Sequence, residues 1–540
     1  MPKDTRESLV RGAAVMTVGT TLSRLTGFLR LTAMTAAFGV TVSELGSVYT
    51  VANLTPNIVY ELILGGILTS IFVPVFVQRL ETGGIEDARD VADRIVSLVL
   101  VVLVSVAALG ALFAEPIIRL YLASSDDPDR AAQIRLGVFF LRWFMPQIVF
   151  YGVGAVATGL LQSHRRFAAP MFAPILNNLV VIGTFIAYAI VRGDRPPTVA
   201  GIPAAERTVL ALGTTLGVVA MTVALWPSLR SIGYRLRLRL GWRHEAVRRL
   251  IRLAGWVAVY VAANQLAYVV VIVLNNRFRS GPQIYTTAFT VFQLPHAIFA
   301  VSIFTALLPG MSERWATGHP DGVRALVGRG LRDTAVVTIP ASLGIIALAE
   351  PIASLLFEHG EAVHADAVAI ARTMQGFALG LLFFSSFQLL TRTLYAMQDM
   401  RTPALVNVAA AAVNVAAAVV YTEGFGLGLR GMALAHATSY LVGAAALLLL
   451  VRRRLGPIDG RRIAATAAKA LAAGGASAAA ALGVASVWQT GSGSTSVLVL
   501  GAGVGAAIVL GVLVFVLVAL ILRVEEVDDL RRTLLRRFRG

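Results

Sequence analysis

The sequence has no cysteine. This excludes disulfides, iron–sulfur clusters, thiolate zinc sites and a cysteine nucleophile. Lysine is almost as scarce: the 540 residues include only Lys3 and Lys469, and neither lies in a GxxxxGK[ST] loop, so built-in P-loop hydrolysis of ATP is not expected. Charge of both signs is thin, at 14% of residues against about 25% in a soluble domain. Apolar residues take the space, at 57% of the chain, with a mean hydropathy of +0.75. A soluble protein of that composition could not cover its own surface, and the length allows roughly 12–15 membrane spans of about 20 residues. No cofactor motif is present. The loop Glu358–Asp366 carries His359, Glu361 and His364 but no HExxH-type spacing, so no metal is expected there.

The charge that is present is mostly arginine, giving a net +17 and a sequence pI near 10.9. In a soluble domain this would suggest nucleic acid. Here the arginines sit in short segments between apolar runs, so the positive-inside bias explains them and no nucleic-acid partner is expected. Apolar runs fall near 10–37, 46–78, 92–114, 133–162, 168–191, 207–228, 254–276, 284–313, 333–349, 366–397, 403–422, 431–451, 463–488 and 495–522. The expected fold class is therefore all-α integral membrane, with fourteen spans. Arginine-rich loops (165–166, 230–252, 314–332, 452–462) alternate with arginine-poor ones, and the tail is basic, which places both termini in the cytoplasm. The polar start MPKDTRESLVRG runs into a long apolar stretch without a small-residue cleavage site and reads as a retained first span. Segments 234–255 and 528–540 have the look of amphipathic surface helices for anionic membrane lipids, although the topology rule alone also accounts for their charge.

Three short matches recur in order at nearly one offset. Ala114-Glu115-Pro116-Ile117 returns as Ala349-Glu350-Pro351-Ile352, 235 residues on; Pro56 pairs with Pro295 at 239, and Pro170 with Pro403 at 233. Their collinearity argues for a duplicated six-span unit, two parallel-repeat lobes followed by two extra C-terminal helices. The expected organisation is an N-lobe at 1–228 (spans 1–6), a basic cytoplasmic inter-lobe loop at 229–253, a C-lobe at 254–451 (spans 7–12), spans 13–14 within 452–522, and a basic cytoplasmic tail at 523–540.

Charges inside spans are costly and mark function by default. Span 1 carries Arg24 and Arg30, about 120° apart on an ideal helix, with Gly27 between them to permit a bend. Span 2 places Asn53, Asn57 and Glu61 at i, i+4 and i+8, one polar stripe, with Pro56 inside it to kink or break the helix. Together these suit a wet cavity for an anionic headgroup, above all phosphate or pyrophosphate, which guanidinium grips by paired hydrogen bonds. The competing reading is structural, with both arginines paired to Glu61 or snorkelling to an interface. Asn177, Asn178, Asn264, Gln265, Asn407 and Asn414 read as interhelical hydrogen bonders, and Arg142 and Arg372 as snorkelling near span ends.

SRLTGFLR in span 1, TPNIVYELILGGILTSIFVP in span 2, QLPHAIFAVSIFTALLP in span 8 and RTLYAMQDMRTP at 392–403 resemble the lipid II flippases, MurJ/MviN, of the multidrug/oligosaccharidyl-lipid/polysaccharide exporter superfamily. The resemblance runs from about residue 8 to the end of span 14. It implies a non-enzymatic transporter of undecaprenyl-pyrophosphate-linked peptidoglycan precursor (lipid II). Such a transporter carries its cargo from the inner to the outer leaflet of the bacterial cytoplasmic membrane by alternating access. It implies that Arg24 and Arg30 meet the lipid-linked anionic substrate and that spans 13 and 14 flank a groove for the lipid tail. Coupling then falls to a monovalent cation or the membrane potential, and cell-wall synthesis proteins become plausible partners. Leu31, Ser47, Tyr60 and Thr290 stand where the family often has charged residues. The alternatives are an exporter of the same superfamily for another polyprenyl-linked glycan or a small amphiphile, or a non-transporting membrane scaffold. A membrane transferase would show acidic metal-binding clusters; the one acidic run, EDARDVAD (86–93), mixes charges as a solvated helix face does.

Overall fold

In lipid every backbone N–H and C=O must be paired within the chain, so long apolar runs become helices. A computed structural model describes residues 3–64, 73–164, 166–233, 239, 255–492 and 497–528, and among these the chain is helical with no strand. Among the described residues, the fourteen apolar runs lie mostly on helix. Ten helices among the described residues are long and apolar enough to cross a membrane, eleven with one bent pair counted as a span. A total of fourteen is compatible with this. The inter-lobe stretch 240–254 and the last residues of the tail, both read as surface helices, lie outside the described residues.

The helices are α1 (Lys3–Phe38), α2 (Leu45–Leu64), α3 (Val73–Leu112), α4 (Ala114–Tyr121), α5 (Arg130–Phe144), α6 (Gln147–Ser163), α7 (Ala168–Arg192), α8 (Ala204–Val223), α9 (Trp226–Ser231) and α10 (Gly255–Asn275). They continue with α11 (Gly281–Pro295), α12 (Val301–Ala316), α13 (Pro320–Phe357), α14 (His364–Ala378), α15 (Leu381–Ala396), α16 (Arg401–Val419), α17 (Gly428–Leu455), α18 (Gly460–Ser492) and α19 (Val497–Ile521). Single π-helical turns at His296–Ala300 and Val420–Gly424 interrupt the spans that contain them.

Three differences from the hydropathy reading have simple causes. Residues 73–78, expected at the end of span 2, open the 40-residue α3, because the polar stretch after them stays helical instead of forming a loop. Pro56 does not break α2, which runs through it; the Thr55 hydroxyl donates to the Val51 carbonyl at 2.9 Å beside the position where proline has no N–H. The fourth and tenth spans are each two helices. The fourth is interrupted at Met145-Pro146, and the tenth bends by 48° at Leu379-Gly380.

The chain packs as two compact units, 1–283 with 359–362, and 284–358 with 363–540. In the first, α7 packs on α1 and α8, α6 on α3 and α8, and α2 on α5 and α10. Its core centres on edge-to-face aromatics: Phe38 meets Phe185 and Tyr188 at 5.3 Å, and Tyr49 meets Phe144 at 5.7 Å. The packing boundary at residue 283 lies beyond the loop 229–253 because α10 packs on α2 and α4.

Residues 359–362 join that first unit at the end of α1. Arg192 donates to the Glu361 carboxylate at 2.7 Å and to the Ala37 carbonyl at 3.3 Å, and the Glu361 N–H donates to Ala36 at 3.0 Å. Gly360 makes the approach possible. It has φ +63°, and a Cβ there would collide with the Ala36 carbonyl.

In the second unit α18 packs between α13 and α19, and α17 packs on α14, α15 and α16. Arg332 pairs with Glu526 at 2.6 Å, and Arg462 pairs with Glu525, tying the end of α19 to α13 and α18.

Candidate functional site

The two arginines of span 1 sit in different surroundings. Arg24 is exposed and Arg30 half-buried on α1, which is helical throughout. Gly27 between them brings α7 close: the Asn178 amide nitrogen lies 3.5 Å from where its Cβ would be. Asn178 donates to the Ser23 carbonyl at 3.2 Å and the Thr26 hydroxyl at 3.0 Å, the interhelical role read from its sequence position. Asn264 instead bonds within its own helix, to the Tyr260 carbonyl at 3.3 Å. Asn177 Oδ1, Asn407 Nδ2 and Asn414 Oδ1 are buried without a hydrogen-bond partner among the described residues, so an interhelical role for these atoms is not seen.

On α2 exposure rises along the polar stripe. Asn53 and Asn57 are half-buried, and Glu61 is exposed. Among the described residues no ion pair joins Glu61 to Arg24 or Arg30, so the structural-glue reading lacks its contact.

Arg30 and Asn57 both lie near Tyr151 of α6. The Arg30 guanidinium lies within electrostatic reach of the Tyr49 and Tyr151 phenols, and the Tyr151 phenol lies near the Asn57 side chain. Tyr60 packs its ring 5.6 Å from that of Tyr151, so the position where the family often has an arginine is an aromatic wall here. Tyr49 is held in turn by its hydroxyl, 2.8 Å from that of Thr214. The result is a half-buried cluster of guanidinium, phenol and amide from α1, α2 and α6. Such groups offer donors to an anionic oxygen. The two tyrosines escaped the sequence reading because a tyrosine in an apolar run looks like core.

The motif at 392–403 is a built turn between α15 and α16. Gln398 takes φ +60°, and the Asp399 N–H donates back to Leu394 at 2.9 Å, closing α15. Asp399 then accepts from the Thr402 N–H at 2.9 Å, opening α16, and pairs with Arg454 at 2.6 Å. Burial opposes ionisation of Asp399, but the Thr402 hydrogen bonds and Arg454 outweigh it and hold the carboxyl below its ordinary range.

A second feature that sequence reasoning missed is His436 on α17. It is buried among Phe289, Phe292, Phe377, Phe384 and Tyr440, and its Nε2 has no hydrogen-bond partner among the described residues.

This arrangement of helices is the fold of the MOP-superfamily membrane transporters. The chain superposes on an inward-facing multidrug resistance MATE family transporter with a TM-score of 0.67 at 13% identity, covering 81% of this chain and 95% of that one. It superposes on a lipid II flippase MurJ in an inward closed conformation with a TM-score of 0.74 at 19% identity, covering 94% and 99%. The family model described as "Lipid II flippase MurJ" matches residues 34–502, and the chain belongs to that family. A probable lipid II flippase MurJ of Rhizobium tropici is 26% identical over 532 residues, 98% of this chain and 97% of its own. The family match includes Asn53, Asn57 and Glu61 and starts four residues after Arg30.

Proposed function

We propose that this protein moves lipid II from the inner to the outer leaflet of a bacterial cytoplasmic membrane by alternating access. The observation that carries the reading is the family match over residues 34–502. Arg24, Arg30, Asn53, Asn57 and Glu61 are assigned to the headgroup. Arg30 and Asn57, both near Tyr151, supply donors for the pyrophosphate; Arg24 and Glu61, both exposed, stand at the accessible margin. An unpaired diphosphate in hydrocarbon is prohibitively costly, and a hydrated cluster of donors lowers that barrier while the prenyl tail stays in lipid. The interrupted fourth and tenth spans, six apart in order, support two six-span repeats, the hardware of alternating access. Both termini are placed in the cytoplasm, on the side of the arginine-rich loops.

Depletion of the protein in its own cell tests the cargo. Lipid II should accumulate in the inner leaflet, and re-expression should clear it. Unchanged lipid II with accumulation of a different polyprenyl-linked glycan would transfer the role to that cargo. Single-cysteine labelling from outside tests the topology cleanly, since the chain has no native thiol; reaction at 229–253 would reverse it.

A further inference from the structure

A small apolar slot lies where α3, α6 and α9 meet. Val96, Val153, Ala157 and Leu160 form its walls, and Trp226 and Arg230 are also in its lining. Val96, Ala157 and Leu160 are buried, whereas Trp226 and Arg230 are exposed and mark the mouth.

Its depth follows from the helices. The apolar part of α3 begins at Asp93, α6 ends at Ser163, and the sixth span ends with α9 at Ser231. Val96, Leu160 and Arg230 therefore all lie within a turn of one membrane surface. The slot is separate from the Arg30 cluster. At about 100° per residue, Val153 and Leu160 point roughly 160–180° away from Tyr151 around α6, and Ala157 about 120° away.

The mouth carries surplus positive charge. No carboxylate among the described residues pairs with Arg230, whose guanidinium rests 5.6 Å over the Trp226 ring. Six residues before Val96, two arginines share one carboxylate: Arg94 and Arg239 reach Asp90 at 2.7 and 2.6 Å. The Arg239 N–H donates to Ser97 at 2.7 Å, which holds that side of the rim beside the slot wall.

We propose that this slot binds one anionic glycerophospholipid, its acyl chain lying along Ala157 and Leu160 and its phosphate at Arg230. The surrounding hydrocarbon supplies the chain, an apolar wall receives it, and the arginine at headgroup depth selects the charge. This site is independent of the transported cargo.

The test uses the full chain in detergent, titrated with phosphatidylglycerol and examined by native mass spectrometry. Phosphatidylcholine and free glycerol 3-phosphate serve as comparisons. The wild type should retain one phosphatidylglycerol beyond the statistical background, prefer it severalfold over phosphatidylcholine, and ignore glycerol 3-phosphate. Ala157→Phe fills the slot and should lose that adduct. Since Ala157 is buried, the exposed pair Trp226→Ala and Arg230→Gln repeats the test without touching the core; it should lose most of the preference for the anionic lipid. An undiminished adduct in a folded Ala157→Phe overturns the proposal. So does an unchanged preference in the Trp226/Arg230 variant, equal retention of both lipids by the wild type, binding of the free headgroup, or a polyprenyl lipid in the phospholipid's place.

Discussion

Asn178 of the fifth span donates to the hydroxyl of Thr26 at 3.0 Å, and through that bond the helix carrying Arg24 and Arg30 is fixed against α7. The same amide reaches the Ser23 carbonyl, so its two contacts bracket Arg24, one residue before it and two after. Asn178→Leu removes both. Interhelical hydrogen bonds in membranes are worth about 0.6 kcal/mol on average, and up to about 1.7. The expected outcome is a melting temperature only a few degrees lower in detergent, with a larger loss of complementation. Wild-type complementation at lowered stability would show that this bond does not position the arginines.

Arg24→Ala and Arg30→Ala should each abolish complementation of a depleted strain at normal expression. Arg24→Lys should restore it only in part, because an ammonium lacks the two-pronged donor geometry. Full activity in a well-expressed double alanine variant would move headgroup binding away from span 1.

Tyr151→Phe keeps the ring against Tyr60 and deletes the hydroxyl that lies near Asn57 and Arg30. Expression should stay normal while transport falls several-fold. Losing one donor from the cluster costs about 0.5–1.5 kcal/mol. An active Tyr151→Phe would show that the phenol is packing only.

The carboxyl of Asp399 is held below its ordinary range, so its contribution to stability is complete above the usual aspartate pKa of about 4. That contribution is lost as pH falls through the lower folded value. Thermal melts of the wild type should drop steeply below about pH 4. Asp399→Asn should melt lower at neutral pH and lose part of that acid limb. Parallel curves for the two proteins between pH 3 and 7 would remove Asp399 from the turn's stability.

Two glycines give opposite expectations. Gly360→Ala forces an alanine to φ +63° against the Ala36 carbonyl and should cost about 1–3 kcal/mol. Gly183→Ala meets nothing within 4 Å in the interior of α7 and should stabilise by up to about 1 kcal/mol. Melting temperatures of the two variants check both signs.

The spans were legible because composition forces them: an apolar run of span length has one good solution in lipid. The polar stripe at Asn53, Asn57 and Glu61 was legible for the same reason, since intramembrane polarity stands out against such a background. What composition hides is how a run is interrupted. Met145-Pro146 and Leu379-Gly380 lie inside continuous hydrophobic stretches, and hydropathy averages across both. Long-range partners were hidden too. Nothing local to Arg30 names Tyr151, 121 residues away. The most family-specific stretch, RTLYAMQDMRTP, shows the reverse case: its Asp399 and Thr402 cap a turn between helices, so a distinctive motif here reflects backbone geometry.

The first twenty residues of α3 precede its apolar part without any break in the helix, an extension of about 30 Å at 1.5 Å per residue. A helical marker protein fused in register there would share one continuous backbone with the third span. It would give electron cryomicroscopy a rigid feature by which to align a particle otherwise sunk in its detergent belt.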